Sequence, residues 1–226
     1  MQEAPVTDAA ELVDAIRKEL RPLEERIIQH PYLAALEEGR IPREKLALFV
    51  GEQHRIIESD LRSIALLISR CSMPRTRRYL QELLNGEDTA FGALHTLANA
   101  LELNEGWLQA YPPTPEAQSY THFLSYLAVS GSPAELAGAF LVNLPAWGAN
   151  CGRMAAALQS QYGIAKDTVT FLDFFAEPQP DVEQTILRVI QQGLDTGVET
   201  RHISTAARFL QSYELAFWDS LLTASA

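Results

Sequence analysis

The sequence has little of the material that builds secreted, membrane-spanning or nucleic-acid-binding proteins. Two cysteines, Cys71 and Cys151, are too few for a disulfide framework and suit a reducing cytoplasm. No apolar run approaches the ~20 residues that span a bilayer, and the acidic N-terminus has no apolar core of a signal peptide. Its 18 Lys and Arg against 29 Asp and Glu give a net charge of −11, which disfavours binding to phosphates. We therefore expect a cytoplasmic protein that binds neither a membrane nor nucleic acid.

Strand signals are also scarce. Sustained alternation of apolar and polar residues is missing, and apolar residues recur instead at helical spacing. The spacing predicts a first helix from Thr7-Asp8 to Ile28, followed by a short connecting turn over 33–39. Prolines mark later breaks, with the clearest loop at 111–115, and a further break is expected at Asn85-Gly86. We predict a single domain over residues 1–226, an all-α bundle of seven to nine helices.

Histidine and carboxylate spacing offers a weak case for a metal. No two of the five histidines lie four residues apart on one helix, so no zinc motif is present. Asp88 and His95 are two helical turns apart and share a face, and Asp181 and Glu183 open a later helix after Glu177. Carboxylates with histidine suit non-haem iron, but acids behind a proline equally suit the first turn of a helix. Both interpretations remain open.

Two residues in apolar surroundings are candidates for a buried site. Glu214 lies between Tyr213 and Phe217-Trp218, where a buried carboxyl would have a raised pKa and could act as a general acid or base. The alternative is a position on the helix surface. Trp147 stands among small residues and lines either a pocket or the core. Cys151 has no basic neighbour in the sequence to activate it, which favours a structural role.

Several short motifs resemble those of one family. His30-Pro31-Tyr32-Leu33, Glu38-Gly39, Ile41-Pro42 and the final Tyr213–Asp219 segment are similar, in order and spacing, to the TenA/THI-4 family. The resemblance extends from about residue 10 to 222. It implies an all-α haem-oxygenase-like helical bundle that assembles as a homodimer or homotetramer. The best-known members are aminopyrimidine hydrolases, the thiaminases II, which use a cysteine nucleophile, a glutamate and several tyrosines.

Some of the family's functional residues are kept in this sequence and others are replaced. The acid/base glutamate is kept as Glu214, but the nucleophile position falls on Asn143 or Ala146, and neither can form the covalent adduct of a thiolate. The resemblance thus implies a small-molecule pocket, suited to a heterocycle and needing no cofactor, in which thiaminase II chemistry is lost. The pocket positions matched by the resemblance are Gln53, Ile56, Tyr120, Asn143, Phe171 and Glu214, and we add Trp147 to them as a candidate lining residue.

Two alternatives stay open beside this hypothesis. A second branch of the superfamily is similar to pyrroloquinoline-quinone synthase and to diiron oxidases, and it implies a metal-dependent oxidase that uses iron. Its ligands here would be Asp88, His95, Glu177 and Asp181, although Gln184 stands where a histidine would be expected. The third possibility is a non-catalytic binding protein, suggested by the missing nucleophile.

Overall fold

The computed structural model describes residues 8–177 and 180–225, apart from the side chains of 180, 181, 224 and 225. Those ranges are helical and contain no strand, which confirms the all-α bundle. Seven of their helices have 16 residues or more. The helices are α1 (Ala9–Ile28), α2 (Pro31–Glu37), α3 (Leu46–Arg70), α4 (Pro74–Ala100), α5 (Glu105–Ala110), α6 (Pro115–Ser130), α7 (Pro133–Tyr162), α8 (Thr170–Ala176), α9 (Pro180–Asp195) and α10 (Thr200–Ser225).

Local sequence signals account for most of the helix starts. The Asp8 carboxylate accepts hydrogen bonds from the backbone N–H groups of Ala10 and Glu11, satisfying donors that the first turn leaves free. Helices α2, α4, α6 and α7 each begin with proline, whose missing N–H costs nothing in a first turn. Ser132 and Glu135 add a capping box to α7.

Three local expectations differ from the structure. Helix α4 runs unbroken through Asn85-Gly86, so the predicted break is wrong. Helix α4 packs along α3 and α8, and these contacts outweigh the cost of about 1 kcal/mol for one glycine in a helix interior. The expected turn over 33–39 is largely the helix α2, and the short α5 was not predicted.

Helix α7 is the central element, packed against α1, α2, α8, α9 and α10. The buried apolar side chains form two clusters. One holds Phe49, Phe217 and Trp218, and the other joins α1, α6, α9 and α10 around residues such as Leu210. No described helix is long and apolar enough to cross a membrane. The two clusters leave space between them, and that space contains the candidate site.

Candidate functional site

A cavity of about 880 Å³ lies inside the bundle and is lined by members of both apolar clusters. Side chains from seven helices besides α1 reach it. Its walls are apolar at Ile56, Phe140 and Phe217, and its inner part carries the buried polar side chains Gln53 and Glu214. A volume of this size accommodates a small organic molecule.

Glu214 on α10 is a buried polar group of the cavity that the protein holds by hydrogen bonds. It is 3% exposed, and its carboxylate accepts a hydrogen bond from Trp218 Nε1 at 3.1 Å, one turn along the same helix. Asn143 Nδ2 on α7 also donates to Glu214 and lies 3.3 Å from Gln211 Oε1. Burial raises the pKa of Glu214 to about 7, more than these two hydrogen bonds lower it. Near neutral pH the group can therefore give or take a proton.

A second group of polar side chains surrounds Tyr120 on α6. Asp60 is buried and accepts a hydrogen bond from the Thr121 hydroxyl, while burial and the nearby Glu87 raise its pKa well above the ordinary value. Burial also raises the pKa of Glu87 to about 7. The pKa of Tyr120 is raised by burial and then by the charges of Asp60, Glu87 and Glu214. The phenol thus lies among three carboxyl groups, all on the cavity wall.

Aromatic rings form much of the apolar wall. Trp147 packs edge-on against Phe175, with 5.7 Å between ring centroids, and against Phe217 at 6.0 Å. These three rings line the cavity. Phe171 is fully buried and does not line it, but supports the wall by packing on Phe175 at 5.3 Å. Such rings offer flat, apolar surfaces against which a planar ligand can stack.

Pro145 and Arg17 shape the outer part of the cavity. Pro145 lies inside α7, and because it has no N–H the carbonyl of Leu141 lacks its helical donor. Arg17 Nη2 on α1 donates to that oxygen at 3.3 Å, and Nη1 pairs with Glu183 on α9 at 2.8 Å. Leu144 and Glu177, also on the cavity wall, are exposed. The opening therefore lies where α1, α7 and α9 meet.

The structure brings together most of the residues matched by the resemblance. Gln53, Ile56, Tyr120, Asn143, Trp147 and Glu214 all line the cavity. Ala146, the alternative nucleophile position, is buried and does not line it. The two cysteines are buried and free, and neither lines the cavity. Burial raises the pKa of the Cys151 thiol well above its ordinary value, which keeps it protonated.

Three of the four candidate iron ligands have described side chains, and these three are not brought together at the cavity. Glu177 lines the cavity, whereas Asp88 is exposed and does not line it. His95 lies instead beside His54 and Glu105. The side chain of Asp181 is outside the described residues. The cavity's described lining residues include no histidine.

Sequence reasoning missed Asp60 and Glu87. A signal for both was present, since each stands on the apolar face of its helix. Asp60 follows Gln53 and Ile56 by seven and four residues, and Glu87 follows Leu80 and Leu83 at the same intervals. A carboxylate in such a register is aimed at the interior, where it is either paired or faces a cavity.

Comparisons with known proteins agree with this architecture. The model of the TENA/THI-4/PQQC family matches residues 17–224. A TenA homologue from Pseudomonas syringae has a similar structure, with a TM-score of 0.79, 13% identity and coverage of 99% of this chain and 98% of that one. A TenA homologue from P. horikoshii is also similar, with a TM-score of 0.72 and 19% identity. The match covers 94% of this chain and 98% of that one.

A haem oxygenase from the cyanobacterium Synechocystis also shares the fold, with a TM-score of 0.62, 12% identity and coverage of 94% of this chain and 95% of that one. A search of curated protein sequences gives no significant match. At these identities the structural likeness establishes the fold and leaves the ligand to be argued from the cavity itself.

Proposed function

The chain belongs to the TENA/THI-4/PQQC family, and we propose that its cavity binds a small, basic nitrogen heterocycle without thiol-dependent hydrolysis. The observation that carries the proposal is Glu214, a buried carboxyl held by Asn143 and Trp218 on the wall of an otherwise largely apolar cavity. A ring nitrogen or amino group of the ligand would be its partner.

The shape and chemistry of the walls support a planar ligand. Trp147, Phe175 and Phe217 supply ring faces and edges for stacking. Gln53 is 6% exposed and lines the cavity, and its side chain forms no hydrogen bond with a described residue. Its amide can both donate and accept, as a heterocycle with ring nitrogens and amino groups requires.

The charge of the cavity supports a basic rather than an acidic ligand. Its one described cation, Arg17, is already paired with Glu183. Asp60, Glu87 and Glu214 have no cationic partner among the described residues. A protonated ligand would favour their ionised forms, whereas a phosphorylated or carboxylated one would be repelled.

Any reaction of the ligand would use acid/base catalysis by Glu214 and not a thiolate nucleophile. Glu214 can protonate a leaving group or activate water, because its pKa of about 7 leaves both forms populated near neutrality. The buried Cys151 offers no thiolate, and Asn143, at the position matched to the nucleophile, cannot replace one. We therefore expect no thiaminase II activity.

The first experiment measures binding of 4-aminopyrimidine by calorimetry, with orotate as an anionic pyrimidine control. We expect 4-aminopyrimidine to bind and orotate not to bind. Glu214→Gln should weaken binding at least about tenfold, because it removes the negative charge of the carboxylate that pairs with a basic ring. The matched control, Glu82→Gln, alters an exposed carboxylate on the same cavity wall and should change the affinity less than about threefold.

Three results would count against the proposal. Equal affinity of the wild type and Glu214→Gln would remove Glu214 from the binding site, and tight binding of orotate would contradict the charge argument. Incubation with thiamin should leave it intact, and its cleavage would contradict the loss of thiaminase II chemistry. Recovery of 4-aminopyrimidine unchanged would indicate a binding role, and its conversion would indicate catalysis.

A further inference from the structure

Three potential metal ligands meet outside the cavity. His54 on α3, His95 on α4 and Glu105 at the start of α5 each offer one ligand atom, and these atoms lie within 4.8 Å of one another. His95 Nδ1 is 3.9 Å from Glu105 Oε2, and the two imidazole rings have centroids 5.6 Å apart. His54 is distant in sequence from His95 and Glu105, so the packing of α3 against α4 brings it into the cluster. None of the three lines the cavity.

His54 is the unusual member of this cluster. It is 1% exposed, and its Nδ1 is buried without a hydrogen-bond partner among the described residues. A neutral imidazole has one donor and one acceptor nitrogen, and leaving either unsatisfied inside a protein is unfavourable. A buried imidazole nitrogen without a hydrogen-bond partner among the described residues, in a cluster with a second histidine and a carboxylate, is available to a metal ion.

Neighbouring side chains contact all three ligands. The Phe91 ring packs against both imidazoles, with centroid distances of 5.1 Å to His54 and 4.8 Å to His95. Gln109 Nε2 donates to Glu105 Oε1 at 2.9 Å, which leaves Oε2 directed at His95. Metal sites commonly have such supporting hydrogen bonds to the ligating carboxylate.

We propose that His54, His95 and Glu105 form a binding site for a divalent transition-metal ion of the Zn²⁺ type. Two imidazoles and a carboxylate suit Zn²⁺, with water as the fourth ligand, and disfavour Mg²⁺ and Ca²⁺, which prefer oxygen ligands. Bond lengths of about 2.1 Å place tetrahedral ligand atoms ~3.4 Å apart. The cluster must therefore contract, and the half-buried His95 and exposed Glu105 have room to rotate toward His54.

The site would tie α5 and the loop before it to α3 and α4. Because His54 follows Gln53 on α3, the ion would bind close in sequence to a residue of the cavity without touching the cavity itself. Binding should raise the thermal stability of the protein, since the ion binds the assembled ligands and not the unfolded chain.

The test uses untagged, chelator-treated protein titrated with Zn²⁺ against a chromophoric chelator. We expect one ion per chain, and we expect His95→Ala and Glu105→Gln each to weaken binding at least about tenfold. The matched control, His202→Ala, replaces an exposed histidine on α10 and should bind Zn²⁺ like the wild type. Co²⁺ should give visible d–d bands of a four-coordinate site, and Mg²⁺ should not raise the melting temperature.

Both His95 and Glu105 are partly exposed, so their variants should fold, and circular dichroism checks that they do. Absence of measurable Zn²⁺ binding by the wild type would overturn the proposal. Equal Zn²⁺ affinity in the wild type and His95→Ala would place the ion elsewhere and overturn it as well. Because the 4-aminopyrimidine experiment depends on a separate cavity, failure of either proposal leaves the other to be judged by its own measurement.

Discussion

Two buried glutamates, Glu52 on α3 and Glu214 on α10, lie in opposite kinds of surroundings. Glu52 is 1% exposed and accepts three hydrogen bonds, from the Tyr111 hydroxyl at 3.0 Å, the Thr114 N–H at 2.8 Å and Gln118 Nε2 at 2.9 Å. These bonds join α3 to the loop at 111–115 and to α6. Glu52 does not line the cavity, and its carboxylate is fully engaged by the protein.

Glu214 is almost equally buried, at 3% exposed, but faces empty space. It accepts two hydrogen bonds, from Asn143 and Trp218, against three at Glu52, and it lines the cavity. Burial alone therefore does not mark a functional carboxylate. The distinguishing property is hydrogen-bonding capacity that the protein leaves unused beside a ligand-sized space. This difference predicts that changes at Glu52 act on stability and that changes at Glu214 act on binding and on pH dependence.

The largest expected effect is on stability at Glu52. Glu52→Ala leaves three donors without their acceptor, and we expect a loss of about 4 kcal/mol in the free energy of unfolding, since each bond to a charged acceptor contributes about 1.5–3 kcal/mol. Glu52→Gln keeps one acceptor oxygen and should lose less. Urea denaturation at pH 7 measures both. The comparison fails if Glu52→Gln reduces 4-aminopyrimidine affinity as much as Glu214→Gln does.

The next largest effect is a pH dependence of the free energy of unfolding, caused by the titration of Glu214. Its pKa is about 7 in the folded state against 4.5 as the ordinary value. The native state therefore holds the proton more tightly, so this stabilisation is fully present below about pH 4.5 and is lost as pH rises through about 7. The shift corresponds to at most about 3 kcal/mol at 1.36 kcal/mol per pKa unit. Glu214→Gln cannot ionise and should lack this loss.

The measurement is the difference in unfolding free energy between Glu214→Gln and the wild type, from urea denaturation between pH 4 and 8. Other titrating groups largely cancel in that difference. We expect the variant to gain stability relative to the wild type as pH rises from about 4.5 to above 7. A flat difference would mean that Glu214 titrates normally and that its burial does not control its protonation.

Features that depend on neighbouring residues in the sequence could be predicted, whereas features that depend on tertiary packing could not. Helix starts near Pro74, Pro115 and Pro133 were readable because a cap or a first-turn proline acts within one turn, whereas the helix that begins at Pro31 was expected as a turn. The break at Asn85-Gly86 was predicted wrongly, because packing of α4 against α3 and α8 decides that region. Local propensity is a weak guide where tertiary contacts oppose it.

The same distinction applies to the site residues. Family motifs pointed to Glu214, Asn143 and Tyr120, which line the cavity. The meeting of His54 with His95 could not be read, because it depends on the rotation and register of α3 against α4 and not on any spacing within one helix. A carboxylate on an apolar helix face, such as Asp60, was a readable signal that pointed to the cavity's second polar group.

The smallest effect concerns the cavity wall formed by α7 and α8. A Cβ at Gly148 on α7 would lie 2.6 Å from the Phe175 carbonyl oxygen, and a backbone oxygen can move only with its helix. Gly148→Ala should therefore displace α8, lower the unfolding free energy by about 1–3 kcal/mol and weaken 4-aminopyrimidine binding.

Gly152→Ala, one turn further along α7, is the matched control. Its Cβ would meet Ala176 Cβ at 3.4 Å, close to ordinary contact, and replacing a helical glycine by alanine gains up to about 1 kcal/mol. Gly152→Ala should therefore be neutral or stabilising and should keep its affinity. An affinity loss confined to Gly148→Ala would indicate that binding depends on the wall between α7 and α8, where both Gly148 and Phe175 line the cavity. Equal behaviour of the two variants would mean that the α8 wall does not contact the ligand.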